Sequence, residues 1–198
     1  MTDDQQPPTS GGLLHRRGNL TWLDTDAGAS VLLLDQLLPH WSGSLPPMDG
    51  RVIEAIFRWQ PGEPATDYDR ACDVDGSAAL LAVGDGLAIV LGNEGPLPVT
   101  WQPLETGGLL LAQLYTTETG DFPRELPKLP NDLSWEPVGE FATDGSPLRL
   151  FDSTEPGDQD PVFPSIPVQL AAGRYVVEST KLEDAQMEVW LVRLRQSL

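Results

Sequence analysis

Proline and glycine recur so often along this chain that no long helix can be drawn through it. There are 19 of each among 198 residues. A proline inside a helix removes a backbone donor and clashes with the preceding turn, and an interior glycine costs about 1 kcal/mol relative to alanine. What remains between the breaks are short apolar runs of strand length. Gly28 to Asp35 reads as a short buried strand, and Asp35 is placed to cap a short helix over Gln36 to Trp41, halted by Gly43 and Pro46-Pro47. Arg51 to Trp59 fits either period, but its β-branched and aromatic content before Pro61-Gly62 favours a strand. Ala78 to Val83 and Leu87 to Leu91, joined by Gly84-Asp-Gly86, predict a hairpin.

The later segments follow the same logic. Gly107 to Tyr115 predicts a third strand with a buried interior, and Pro147 to Phe151 alternates as a half-buried strand does. Ile166 to Leu170 and Arg174 to Thr180 flank Ala171-Ala-Gly173 as an expected second hairpin. In Met187 to Leu194 the apolar residues Met187, Val189 and Leu191 face one way, and Trp190, Val192 and Leu194 the other. The fold expected is mainly β, or α+β: antiparallel and β-rich, with roughly six to nine strands and one or two short helices. Two β subdomains or one sandwich both satisfy the pattern. The expected divisions are a flexible polar tail over 1–18, a β-rich half over 19–120, a proline-rich connector over 121–134 and a second β-rich half over 135–198.

Charge limits the partners. Thirty acidic residues against 12 basic give a formal net charge of −18, which opposes approach to nucleic acid phosphates or an anionic membrane. A charged partner is expected to be a basic protein. A lone Cys72 cannot form an internal disulfide, and two histidines cannot build the usual zinc cluster. The first residues lack the basic start and apolar stretch of a signal peptide, so a cytoplasmic location is expected.

Two acidic segments are the candidate sites. The first carries Asp67, Tyr68, Asp69, Asp73 and Asp75 around Arg70. Hard carboxylate oxygens in this density suit a divalent cation, but Ala78 stands where a calcium loop closes with glutamate. Alternatively an aspartate pairs with Arg70, or Tyr68 anchors an interaction patch that the acids complement. The second is the loop containing Asp152, Glu155, Asp158 and Asp160. No catalytic set stands out. Cys72 lies among acids that disfavour its thiolate, and Gly84-Asp-Gly86 lacks the lysine of a phosphate loop. No catalytic, cofactor or metal residue is assigned. A metal-dependent or carbohydrate-active enzyme using the carboxylates from Asp67 to Asp75 is the rival reading.

A set of short motifs in order carries a resemblance. Trp22 and Gly28 precede Val31-Leu-Leu-Leu34, then come Leu37-Leu-Pro-His-Trp41-Ser-Gly43, Asp67-Tyr-Asp-Arg-Ala-Cys72 and Val83-Gly-Asp-Gly86. Val90-Leu-Gly92, Gly107-Gly108, Leu150-Phe-Asp-Ser153 and Gly173-Arg-Tyr175 complete the set. Together they resemble the immunity protein 21 family, antidotes encoded beside toxins of bacterial polymorphic toxin systems. The resemblance implies a non-catalytic cytoplasmic protein that binds and neutralises a cognate toxin, and it implies no catalytic residues. The stretch Ser44 to Thr66 and the loop after Phe151 run longer than that pattern. A nuclease toxin presents a basic cleft, which an acidic inhibitor would meet with complementary potential.

Overall fold

The final strand has two buried faces, and the architecture follows from covering both. Along β12 (Met187–Gln196), Trp190, Val192 and Leu194 join one apolar cluster while Val189 and Leu191 join another. A strand with both faces buried needs a layer on each side. The computed structural model describes residues 13–26, 28–47, 50–92, 96–116, 129–158, 163–183 and 187–197.

The first strands are β1 (Leu14–Arg17), β2 (Leu20–Leu23) and β3 (Ser30–Leu34), followed by a 3-10 helix over Asp35–His40. The helix α1 (Asp67–Cys72) comes next, then β4 (Ala78–Val83), β5 (Gly86–Leu91), β6 (Val99–Leu104) and β7 (Gly107–Thr116). The chain continues through β8 (Glu136–Thr143), β9 (Leu148–Asp152), β10 (Ser165–Val168) and β11 (Gly173–Glu183) to β12. Seven strands form one sheet in the order β1-β2-β6-β7-β12-β11-β8, and five form a second in the order β10-β9-β3-β5-β4. Among the described residues every pairing is antiparallel.

The larger cluster lies between the sheets. It unites Val31, Leu32 and Leu33 of β3 and Leu150 of β9 with Leu110 of β7, Val177 of β11 and Val192 of β12. Both sheets draw strands from before and after residue 120, so the two β-rich halves share one core. The smaller cluster covers the outer face of the larger sheet, where Trp22, Leu109, Leu111 and Leu191 pack under Leu129, Leu133 and Trp135. Arg193 lies over the Trp135 ring with its guanidinium carbon 4.1 Å from the centroid, a cation–π contact that fixes this cover. Gly108 is required by close approach: a Cβ there would sit 1.9 Å from Cη2 of Trp101.

The antiparallel β class holds, with the hairpin β4–β5 in register from Ala78↔Leu91 to Val83↔Gly86. Other expectations are corrected. Residues 51–59 form no strand: the amides of Ile56 and Phe57 donate to Asp73, that of Trp59 to Asp69, and the Arg51 guanidinium to Asp67. Ala171-Ala-Gly173 joins strands of different sheets, since β10 pairs with β9 while β11 pairs with β8 and β12. Asp35 does not cap the 3-10 helix. Its carboxylate accepts from Nε and Nη2 of Arg149 at 2.9 and 3.2 Å, across β3 and β9. Part of the expected tail is the strand β1, paired with β2, while residues 1–12 lie outside the described residues. The connector's residues 121–128 also lie outside them.

Because Leu32 is wholly buried in the middle of the smaller sheet, Leu32→Ala is expected to lower unfolding free energy by about 2–5 kcal/mol. The exposed Leu104 in β6 supplies the contrast: Leu104→Ala is expected to change stability by no more than about 0.5 kcal/mol. Urea unfolding of both variants checks the pair.

Candidate functional site

A six-residue helix is too short to be stable from propensity alone. In α1 a capping box compensates. The Thr66 hydroxyl accepts from Asp69 N at 3.1 Å, and the Asp69 carboxylate accepts from Thr66 N at 2.8 Å. The helix and its C-cap residue Asp73 then bring three carboxylates onto the preceding coil.

Asp67 is the most buried of them, with no exposed surface. One of its oxygens accepts from Ser42 N at 2.8 Å, Ser42 Oγ at 2.9 Å and Arg51 Nη2 at 2.9 Å; the other accepts from Arg70 Nη2 at 2.7 Å. Two guanidiniums and a backbone amide around one carboxylate meet the strict requirement that a buried charge be paired and hydrogen-bonded. Burial pulls the Arg70 guanidinium below the ordinary arginine range, against the pull of Asp67, with the like charge of Arg51 adding to the lowering. Asp69 uses its second oxygen to accept from Trp59 N at 2.7 Å. Asp73 accepts from Phe57 N at 2.7 Å and from Ile56 N.

Tyr68, expected as an exposed anchor, is buried. Its ring makes T-shaped contacts with Phe57 and Trp59, with centroids 6.3 and 5.9 Å away. Its hydroxyl meets the Cys72 thiol. Burial, first, and then this neighbour raise the Tyr68 phenol well above its ordinary range, and burial raises the thiol too. Cys72 is thus held in the thiol form, which is a poor nucleophile.

The second acidic segment is also largely turned inward. Asp152 is buried and accepts from Asp26 N at 2.6 Å, Thr154 N at 2.9 Å and Thr154 Oγ1 at 2.8 Å, which folds the loop onto itself. Glu155 is buried, and its pKa is raised by burial and then by Asp152 and Asp26. The picture of Asp67, Tyr68, Asp69, Asp152 and Glu155 as projecting groups is therefore corrected. Asp75 and Asp158 are exposed, Asp73 is half-buried, and Asp160 lies outside the described residues.

Both segments meet through the chain from Trp41 to Leu45. Ser42 donates to Asp67, Tyr68 N donates to Gly43 O at 2.9 Å, and Ser44 N donates to Thr154 O at 2.9 Å. Trp41 Nε1 donates to Ser153 O at 3.1 Å, and Gly157 N donates to Trp41 O at 2.9 Å. Gly43 is the pivot. Its φ of 58° is left-handed, and a Cβ there would lie 2.4 Å from the Thr154 carbonyl oxygen. Above this junction a cavity of about 290 Å³ is lined by Trp41, Leu45, Pro46, Arg51, Pro156 and Asp158.

The apolar surface of the coil was missed by the sequence reading. Ile56 is 96 % exposed, Val52 86 % and Trp59 58 %, whereas Ile53 is buried. A strand assignment would have hidden alternate side chains of this segment. Its only sequence signal was the nearby aspartates, which offer acceptors to a coil's unpaired amides.

These carboxylates support the coil. The oxygens of Asp67, Asp69 and Asp73 face protein donors, and among the described residues no group of three or more His, Cys, Asp or Glu is placed to hold a metal ion. The fold and site define an acidic, two-sheet antiparallel β protein with a pinned, partly apolar coil on its surface. The chain belongs to the immunity protein 21 family, whose model matches residues 21–187. No curated protein and no solved structure matches it significantly.

Removing Asp67 strands two guanidiniums. Asp67→Ala is expected to cost about 3–5 kcal/mol in urea unfolding. Glu155 gives a pH test. The native state binds its proton more tightly than the unfolded chain, so stability falls as pH rises from the ordinary value of 4.5 through the raised native value, and stays lower above it. Glu155→Gln is expected to unfold at higher temperature than the natural chain at pH 7, and to lose that gain as the pH falls below 4.5.

Proposed function

We propose that this protein binds and neutralises a cognate toxin of a bacterial polymorphic toxin system, in the cytoplasm and without catalysis. The observation that carries the reading is membership of the immunity protein 21 family over residues 21–187. The net charge of −18 supports a basic toxin, such as a nuclease with a cleft shaped for phosphates. Complementary potentials would steer encounter over several ångströms and suppress wrong partners. Asp75 and Asp158, both exposed, are the acids of the two segments suited to that steering. The internally bonded Asp67, Asp69 and Asp152 serve by holding the surface in shape.

The test is co-expression with the product of the adjacent toxin gene. Growth rescue and co-purification of a stoichiometric complex are expected. The association rate is expected to fall by about tenfold or more between low salt and 0.3 M salt. Absence of rescue with both proteins expressed would sink the reading. A rate insensitive to salt would sink its electrostatic part.

A further inference from the structure

We propose that the exposed apolar side chains of Leu45, Val52, Ile56, Phe57 and Trp59 form the anchor by which this protein grips a basic toxin, an inference that rests on the toxin-binding reading above. Monomeric proteins rarely leave large apolar side chains clustered in solvent unless the cluster is used for binding. Here Leu45, Val52, Ile56, Phe57 and Trp59 are all exposed within one stretch of chain.

The segment is exposed without being loose. Asp73 accepts from the amides of Ile56 and Phe57, Asp69 from the amide of Trp59, and Asp67 from the guanidinium of Arg51. Phe57 and Trp59 rest edge-on against the buried Tyr68. An apolar surface fixed before encounter loses little further entropy on binding, so more of its burial reaches the affinity. Concavities lie beside it. A cavity of about 240 Å³ is bounded by Leu45, Pro46, Trp59 and Glu63, and another of about 480 Å³ by Ile56, Cys72, Asp73, Asp75 and Trp190. Ridges of apolar side chains flanked by clefts suit a protein surface that interdigitates with them.

Charge decides the occupant. Exposed Glu54, Glu63 and Asp75 rim the coil, while Arg51 is drawn inward to Asp67 and Arg58 donates to the carbonyls of Ala55 and Phe57. A second copy of this chain would bring its own acidic rim and a net charge of −18 against the first, and like charges across an interface disfavour association. A basic partner meets the same rim favourably. An apolar centre inside a charged rim is the usual anatomy of a specific interface.

The experiment measures the affinity of the full chain for the purified product of the adjacent toxin gene by calorimetry. Ile56→Ala combined with Trp59→Ala is expected to raise Kd about 30-fold or more, as truncating interface hot spots does. Leu104→Ala, at an exposed leucine on β6, is the control and is expected to leave Kd within about twofold. Ile56 is nearly all in solvent, so Ile56→Ala alone tests the patch without touching the support of Tyr68, and it too is expected to weaken binding. Binding by the natural chain that survives these substitutions unchanged would overturn the inference and leave the toxin-binding reading standing. No binding by the natural chain would overturn both. Self-association of the natural chain through the same side chains, seen by sedimentation, would overturn the choice of a basic partner.

Discussion

The buried carboxylate of Asp67 is the constraint on which the functional face depends. An ion with no exposed surface must find its partners inside the protein, and Asp67 finds Ser42, Arg51 and Arg70. Those partners come from the chain before α1 and from α1 itself, so satisfying one charge ties the helix to a coil that has no ladder of its own. Asp69 and Asp73 extend the tie to Trp59, Phe57 and Ile56. An ion pair of this kind must offset a large desolvation penalty, and here the partners that do so join the helix to the coil.

The sheets supply the rigid base for that arrangement. Ser153 N donates to Ala29 O at 3.0 Å just beyond β3 and β9, and Ser153 O receives the indole of Trp41. Trp41 also packs edge-on against Phe151, with ring centroids 6.3 Å apart. Through these contacts the loop after β9 and the coil before α1 become neighbours although they are far apart in sequence.

Much of the β framework was legible because its signals are local. The Gly84-Asp-Gly86 turn between apolar runs fixes β4 and β5, and the two-sided pattern of Val189 to Leu194 announced a strand covered on both faces. The order of strands was not legible. Pairing β9 with β3 and β10, or β12 with β7, depends on contacts between distant segments that no local period encodes. The strand expected over Arg51 to Trp59 failed for a related reason: its period fits a ladder, but its amides are satisfied by side-chain carboxylates, which propensity does not register. At the site, the sequence drew attention to aspartates whose orientation it did not encode. Asp67 and Asp69 lie on different sides of a short helix that is covered on both, and Asp73 at its C-cap is drawn to the amides of Ile56 and Phe57, while Asp75 stays outside.

The acidity of the chain thus divides into two roles. A few buried carboxylates organise an apolar coil, and the exposed remainder sets the sign of the surface around it. The most direct measurement of this division is amide hydrogen exchange of the natural chain under native conditions. Ser42, Ile56, Phe57 and Trp59 donate to carboxylates without belonging to any strand, and their amides are expected to exchange far more slowly than the rest of the exposed coil. Exchange of these four at the rate of an unstructured peptide would contradict that division.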